Sequence, residues 1–83
     1  MGAVLAKVSY LSIMMREDVV SSELRSVGYD EQSLILEVEF QSGGIYQYFG
    51  VPRELYLNLM AAESKGRFFN KSIRERHYYQ RVT

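Results

Sequence analysis

The chain has no cysteine and no tryptophan, only one proline and only one histidine among its 83 residues. Without cysteine there is no disulfide staple and no thiolate chemistry, a composition that suits a reducing cytoplasm. A lone His77 leaves only carboxylates as further ligands, which argues against a zinc centre. Catalysis has little to build on: His77 sits between Arg76 and Tyr78, with Glu75 its nearest carboxylate in sequence, and nothing local orients or activates it. It is expected to be an exposed tail histidine. No long apolar run is present, so no membrane span is expected. The glycines do not follow the strand-to-helix patterns that cradle phosphates. The expectation is therefore a non-enzyme, without cofactor or metal.

What is there is ordinary in amount and uneven in arrangement. An apolar fraction of 47% and a charged fraction of 24% fit one small globular domain. Net charge is zero, yet the signs are segregated. Residues 1–64 carry four cations against nine carboxylates, and residues 65–83 carry six cations against one carboxylate. A basic end on an acidic body suggests a polyanion partner, or two halves that attract each other within the fold.

Residues 1–18 differ from the rest. Val4, Leu5, Val8, Leu11 and Met15 recur at helical spacing. The segment reads as a packed helix, a mobile apolar tail, or an extension upstream of a start at Met14 or Met15. A signal peptide is not expected, since no basic leader or Ala-x-Ala site frames the run.

A first strand is expected over 20–29. Leu24 and Val27 fall on opposite parities, so a bulge or an early end is predicted there. Asp30-Glu31-Gln32-Ser33 supplies a turn. Over 33–40, Leu34, Leu36, Val38 and Phe40 alternate with Ile35, Glu37 and Glu39, the pattern of a strand with one buried face. Glu37 and Glu39 are then expected on the solvated face, and paired carboxylates without partners make a poor acid–base site. A third strand follows over 45–51. A three-residue loop with a glycine at positive φ would put Tyr46 and Tyr48 on the face of Val38 and Phe40; a two- or four-residue loop would turn them outward. The three-residue loop is favoured because it keeps Gln47 out of the core.

Pro52 suits the first turn of a helix over 52–64, with Leu55, Tyr56, Leu59 and Met60 as its apolar stripe and Ser64-Lys65-Gly66 as its end. A short helix over 67–75 holds Phe69 and Ile73. The tail from Tyr78 has strand-like composition and could add a strand.

The stretch from Lys65 to Tyr79 interleaves cations with aromatic rings, as a surface for single-stranded nucleic acid requires: cations neutralise phosphates and rings stack bases. Lys65, Arg67, Lys71, Arg74 and Arg76 are the candidate phosphate contacts. Tyr48 and Tyr78 are the stacking candidates, with Tyr46 expected inside. Asn70 is placed either to read a base edge or to cap the short helix.

In order along the chain, several of these pieces match a known pattern: Val20-Ser21-Ser22, Val27-Gly28-Tyr29-Asp30, Leu36-x-Val38-x-Phe40-x-x-Gly43, and Tyr46-x-Tyr48-x-x-Val51-Pro52. Leu59, Ala62-x-Ser64-x-Gly66-x-Phe68-Phe69-Asn70 and Ile73-Arg74 continue it. Together they resemble the KTSC domain, a small module found at the C-terminus of some lysyl-tRNA synthetases and as a stand-alone bacterial protein. The resemblance covers roughly residues 19–78 and implies a short β-meander followed by helical segments. It brings no activity with it, and the link to tRNA synthetases points toward RNA.

The expectation is thus one α+β domain over 19–83, preceded by an extension over 1–18 that is helical or disordered. Three antiparallel strands are followed by one longer and one short helix packed on the sheet, with a possible extra C-terminal strand. The expected function is non-catalytic binding of RNA or single-stranded nucleic acid in the cytoplasm, without membrane contact. The alternative is a protein-interaction or assembly module, self-associating or docking a partner through residues 1–15 or a sheet edge.

Overall fold

Alternating residues build the sheet, and two apolar helical stripes cover one of its faces. The computed structural model describes residues 14–83. The strands are β1 (Glu17–Asp18), β2 (Leu24–Asp30), β3 (Ile35–Phe40), β4 (Ile45–Phe49) and β5 (Tyr79–Arg81), and the helices between β4 and β5 are α1 (Arg53–Ala61) and α2 (Lys65–Ser72). All neighbours pair antiparallel, in the order β1-β2-β3-β4-β5. The architecture is an α+β meander with two helices on one face, and the extra C-terminal strand exists. The expectation for residues 1–13 lies outside the described residues, whereas residues 17–18, expected in the extension, pair with β2 as an edge strand.

Register settles where the side chains go. In β2 the pairing slips between Leu24 and Ser26, and this bulge lets both Leu24 and Val27 point into the core. The β3–β4 turn is a three-residue loop, 41–43, closed by the Phe40 N–H donating to the Gly44 carbonyl and the Gly43 N–H to the Phe40 carbonyl. Gly43 sits at φ 114°, where a side chain would be strained. That loop pairs Val38 with Tyr46 and Leu36 with Tyr48, so the tyrosines lie on the core face.

The core contains Leu36, Val38, Tyr48, Leu59, Phe69 and Ile73, all buried. Ring contacts organise it: Tyr48 and Phe40 each meet Phe69 edge-on, at 5.0 and 5.5 Å between centroids. Leu34 is not part of this face. It lies in the turn at φ 59° and is 40% exposed, because the strand starts one residue later at Ile35.

The helix boundary also differs from the expected one. Pro52 is the N-cap of α1 rather than a first-turn residue. Ser64 does not close α1; its hydroxyl accepts from the Arg67 N–H at 3.3 Å and caps α2, whose first turn is Lys65 and Gly66. The chain is extended at Ala62, so the first helix stops short of the expected residue 64 and the second runs over Lys65–Ser72 rather than 67–75.

Candidate nucleic-acid interface

Where β4 and β5 meet the segment before β2, the β3–β4 loop and the turn after α2, they leave a groove of about 640 Å³. The rings of Phe40, Tyr46, Tyr48 and Tyr79 line it, with Glu23, Arg74 and Glu75 as its charged groups. Each ring is placed by strand register. Tyr48 pairs with Tyr79 across β4–β5 and stacks on it at 5.5 Å, while Tyr46 meets Tyr79 at 5.8 Å. The Arg81 guanidinium lies 5.6 Å from the centre of the Tyr46 ring.

The groove's other side comes from Glu23 before β2 and from Arg74 and Glu75 in the turn after α2. Gly66 and Asn70 are four apart on α2, Arg74 lies just past its end, and the Glu23 side chain contacts all three. A Cβ on Gly66 would fall 2.7 Å from Glu23 Oε1, so only a bare backbone admits the carboxylate there. Asn70 Nδ2 donates to Glu23 Oε1 at 3.1 Å, and Arg74 Nη2 pairs with Oε2 at 3.6 Å. The Glu23 backbone is held in turn, since its N–H and that of Leu24 both donate to Ser21 Oγ. Arg74 also lies 5.5 Å from the ring centres of Phe40 and Phe69. Burial pushes the Tyr48 phenol up from its ordinary value, against the pull of the Arg74 charge.

The eight residues singled out from sequence separate into three groups. Arg74 and Tyr48 line the groove and Asn70 reaches it only through its bond to Glu23, but Tyr48 is only 3% exposed and is part of the core. The expectation that Tyr48 stacks outside while Tyr46 packs inside is therefore corrected: Tyr46 is half-buried and the more accessible of the two. Asn70 is no cap; it lies inside α2 and donates to Glu23. Arg67, Lys71 and Arg76 are exposed and form no ion pair among the described residues, while Lys65 Nζ donates to the Ala62 carbonyl at 3.1 Å. Tyr78 is 73% exposed and lies against Phe49, away from the groove lining. Of the basic tail, then, only Arg74 is held by an acidic partner among the described residues.

Two groups escaped sequence reasoning. Glu23 is 47 residues from Asn70, and no local pattern links them. The second is the opposite sheet face. Glu37 was expected in solvent and is instead fully buried: Arg16 Nη1 ion-pairs with it, and Gln47 Nε2 donates to it at 2.9 Å. Arg16 Nε also donates to Ser26 Oγ at 2.8 Å, and that hydroxyl donates to Glu39 at 2.9 Å. Every buried side-chain polar atom among the described residues has a partner, so this network reads as structure. His77 is anchored rather than loose, with Nδ1 3.2 Å from the Phe49 carbonyl oxygen. Among the described residues no cluster of three or more His, Asp or Glu side chains is placed to hold a metal, and no helix is long and apolar enough to cross a membrane.

The sequence model of the KTSC domain matches residues 20–78. The chain belongs to the KTSC domain family. Over 70 residues it is 49% identical to a protein of Stutzerimonas stutzeri, covering 83% of this chain and 99% of the relative. A crystal structure of a KTSC domain protein from Yersinia pestis is similar at TM-score 0.82 and 41% identity, over 84% of this chain and 99% of that one. A lysine–tRNA ligase of Nostoc punctiforme is 34% identical over 62 residues, which is 75% of this chain and 11% of the ligase. The groove lies within the span matched to the KTSC domain except for Tyr79. The Tyr-x-Tyr pair of β4 and the Gly66 and Asn70 positions of α2 are the parts of the family pattern that shape it.

Proposed function

We propose that this KTSC domain is a non-catalytic binding module for single-stranded RNA, working in the cytoplasm. One observation carries the reading: a ring-lined groove lies near the end of a helix whose exposed cations, Arg67 and Lys71, form no ion pair among the described residues. Tyr46 and Tyr79 offer faces for base stacking, each worth about 1–3 kcal/mol. Arg67 and Lys71, four apart on α2, and Arg76 just beyond it are available for phosphates. The similarity of a region of lysine–tRNA ligase to this chain supports an RNA context.

The test is fluorescence anisotropy with tRNA and mixed-sequence oligoribonucleotides across a salt series. Three phosphate contacts predict a slope of about −2 in log affinity against log salt. Lys71→Glu combined with Arg67→Glu should weaken binding to every sequence alike. No binding to tRNA or single strands at low salt would end the proposal.

A further inference from the structure

We infer that the Arg81 guanidinium, stacked on Tyr46 at the sheet-side rim of the groove, binds an RNA phosphate, so that a single strand crosses the groove from the helix to β5. The inference rests on the RNA-binding reading and adds a contact from the opposite rim. Charge decides where a phosphate can lie. Inside the groove Glu23 and Arg74 are paired with each other, which leaves Glu75 as the remaining lining charge and disfavours an anion there. Phosphates therefore belong at cations that do not line the groove. Arg67 and Lys71 on α2 and Arg76 beyond it supply these on the helix side. On the other side, β4 and β5 carry the Tyr46 and Tyr79 rings, and Arg81 is the only cation in those two strands.

The surroundings of Arg81 hold it in place and leave its donors open. Register pairs it with Tyr46 across β4–β5 and puts Tyr79, two residues earlier, on the same strand face. The guanidinium lies 5.6 Å from the centre of the Tyr46 ring, whose electron-rich face attracts the cation. Gly44 supplies the room. A Cβ there would fall 2.9 Å from Tyr46 Cε1 and 3.4 Å from Arg81 Nη2, so ring and guanidinium both lie against a bare backbone. Arg81 Nε donates to the Thr83 main-chain oxygen. The Nη groups meet no hydrogen-bond acceptor and no acidic side chain among the described residues. A planar guanidinium with its Nη edge free is the donor fork that fits a phosphate, and stacking on a ring reduces the rotamer freedom lost on binding. Tyr79, 52% exposed, then offers the stacking face between the cations of the two rims.

The experiment measures binding of a mixed-sequence single-stranded oligoribonucleotide to the full chain by fluorescence anisotropy across a salt series. Four phosphate contacts predict a slope of about −2.8 for the unmodified chain. Arg81→Gln, checked for folding by thermal melting, should bind about tenfold more weakly and bring the slope to about −2. Arg81→Lys should keep the slope and lose about threefold in affinity, because an ammonium carries the charge without the planar fork. Arg53→Gln is the control. It removes a charge beside Glu31, at the end of β3 opposite to Gly44, and should change neither quantity. Arg81→Gln with unchanged affinity and slope, Arg53→Gln with a loss as large as that of Arg81→Gln, or Arg81→Lys with undiminished affinity would each overturn the inference while leaving RNA binding intact. Absence of binding by the unmodified chain to the oligoribonucleotide and to tRNA would overturn both.

Discussion

The two faces of the sheet are buried by different physics. On the helix-covered face, Leu36, Val38, Tyr48 and Phe69 exclude water by packing, and the stabilisation grows with apolar area at roughly 25 cal/mol per Å². On the other face, Glu37 and Gln47 are buried too, and they are held by an ion pair and directed hydrogen bonds. Packing tolerates a substitution of similar volume. A buried polar network does not tolerate the loss of one partner, because the remaining group keeps its desolvation cost. One strand, β3, supplies both faces from alternate residues.

The largest test of this contrast is Phe69→Ala. Removing the ring that Phe40 and Tyr48 both contact should cost about 3–5 kcal/mol in urea denaturation, enough to leave so small a domain barely folded. Glu37→Ala should cost about 3 kcal/mol, since it removes the buried carboxylate that Arg16 Nη1 pairs with and that Gln47 Nε2 donates to, whereas Glu37→Gln should cost clearly less by keeping a hydrogen-bonding group in place. If Glu37→Ala lost under about 1 kcal/mol, the polar face would be ornament and the contrast would fail.

A third, smaller effect separates the faces by pH. Tyr29 and Tyr48 both contribute to the apolar side, and burial is the main cause raising each phenol above 10.0. For Tyr29 the Glu31 charge adds to the rise and Arg53 opposes it. Raised phenols mean the folded state prefers the neutral form. Their contribution is whole below about pH 10 and is lost as pH climbs through the folded-state values. Thermal melts should be insensitive to these groups at neutral pH and fall in the alkaline range, and Tyr48→Phe should flatten that fall. The smallest effect belongs to Glu23→Ala. Its pair with Arg74 is exposed by 38–42%, so stability should drop by under about 1 kcal/mol even though Asn70 and Arg74 lose their shared acceptor.

Much of this fold was legible before the structure because period-2 and period-3.6 patterns report burial directly. Leu36, Val38 and Phe40 in β3, Leu59 and Phe69 in the helices and Ile73 just past α2 all lie on the buried side where periodicity puts them. The parity break between Leu24 and Val27 announced the β2 bulge, and Gly43 announced the hairpin loop that turns both tyrosines inward. The candidate site was less legible. Arg74 and Asn70 were reachable as members of a basic, aromatic-rich segment, but their partner Glu23 comes from the other end of the chain. Composition does not say which of two core-facing tyrosines is covered by a neighbour, which is why the pattern alone offers Tyr48 as a surface ring. Here Tyr48 lies under Phe69 and Tyr79.

By itself the sequence determined the elements, the hairpin register and the identity of the helix-facing core, because these depend on residues close together in the chain and on the geometric repeat of one strand or one helix. Only tertiary structure decided that Glu37 is buried by Arg16 and Gln47, that Glu23 orients Arg74, and that Tyr79 joins Tyr46 at a groove. Those facts depend on groups brought together across 10 to 51 residues, and a charge or a ring carries no local mark of the partner it will meet.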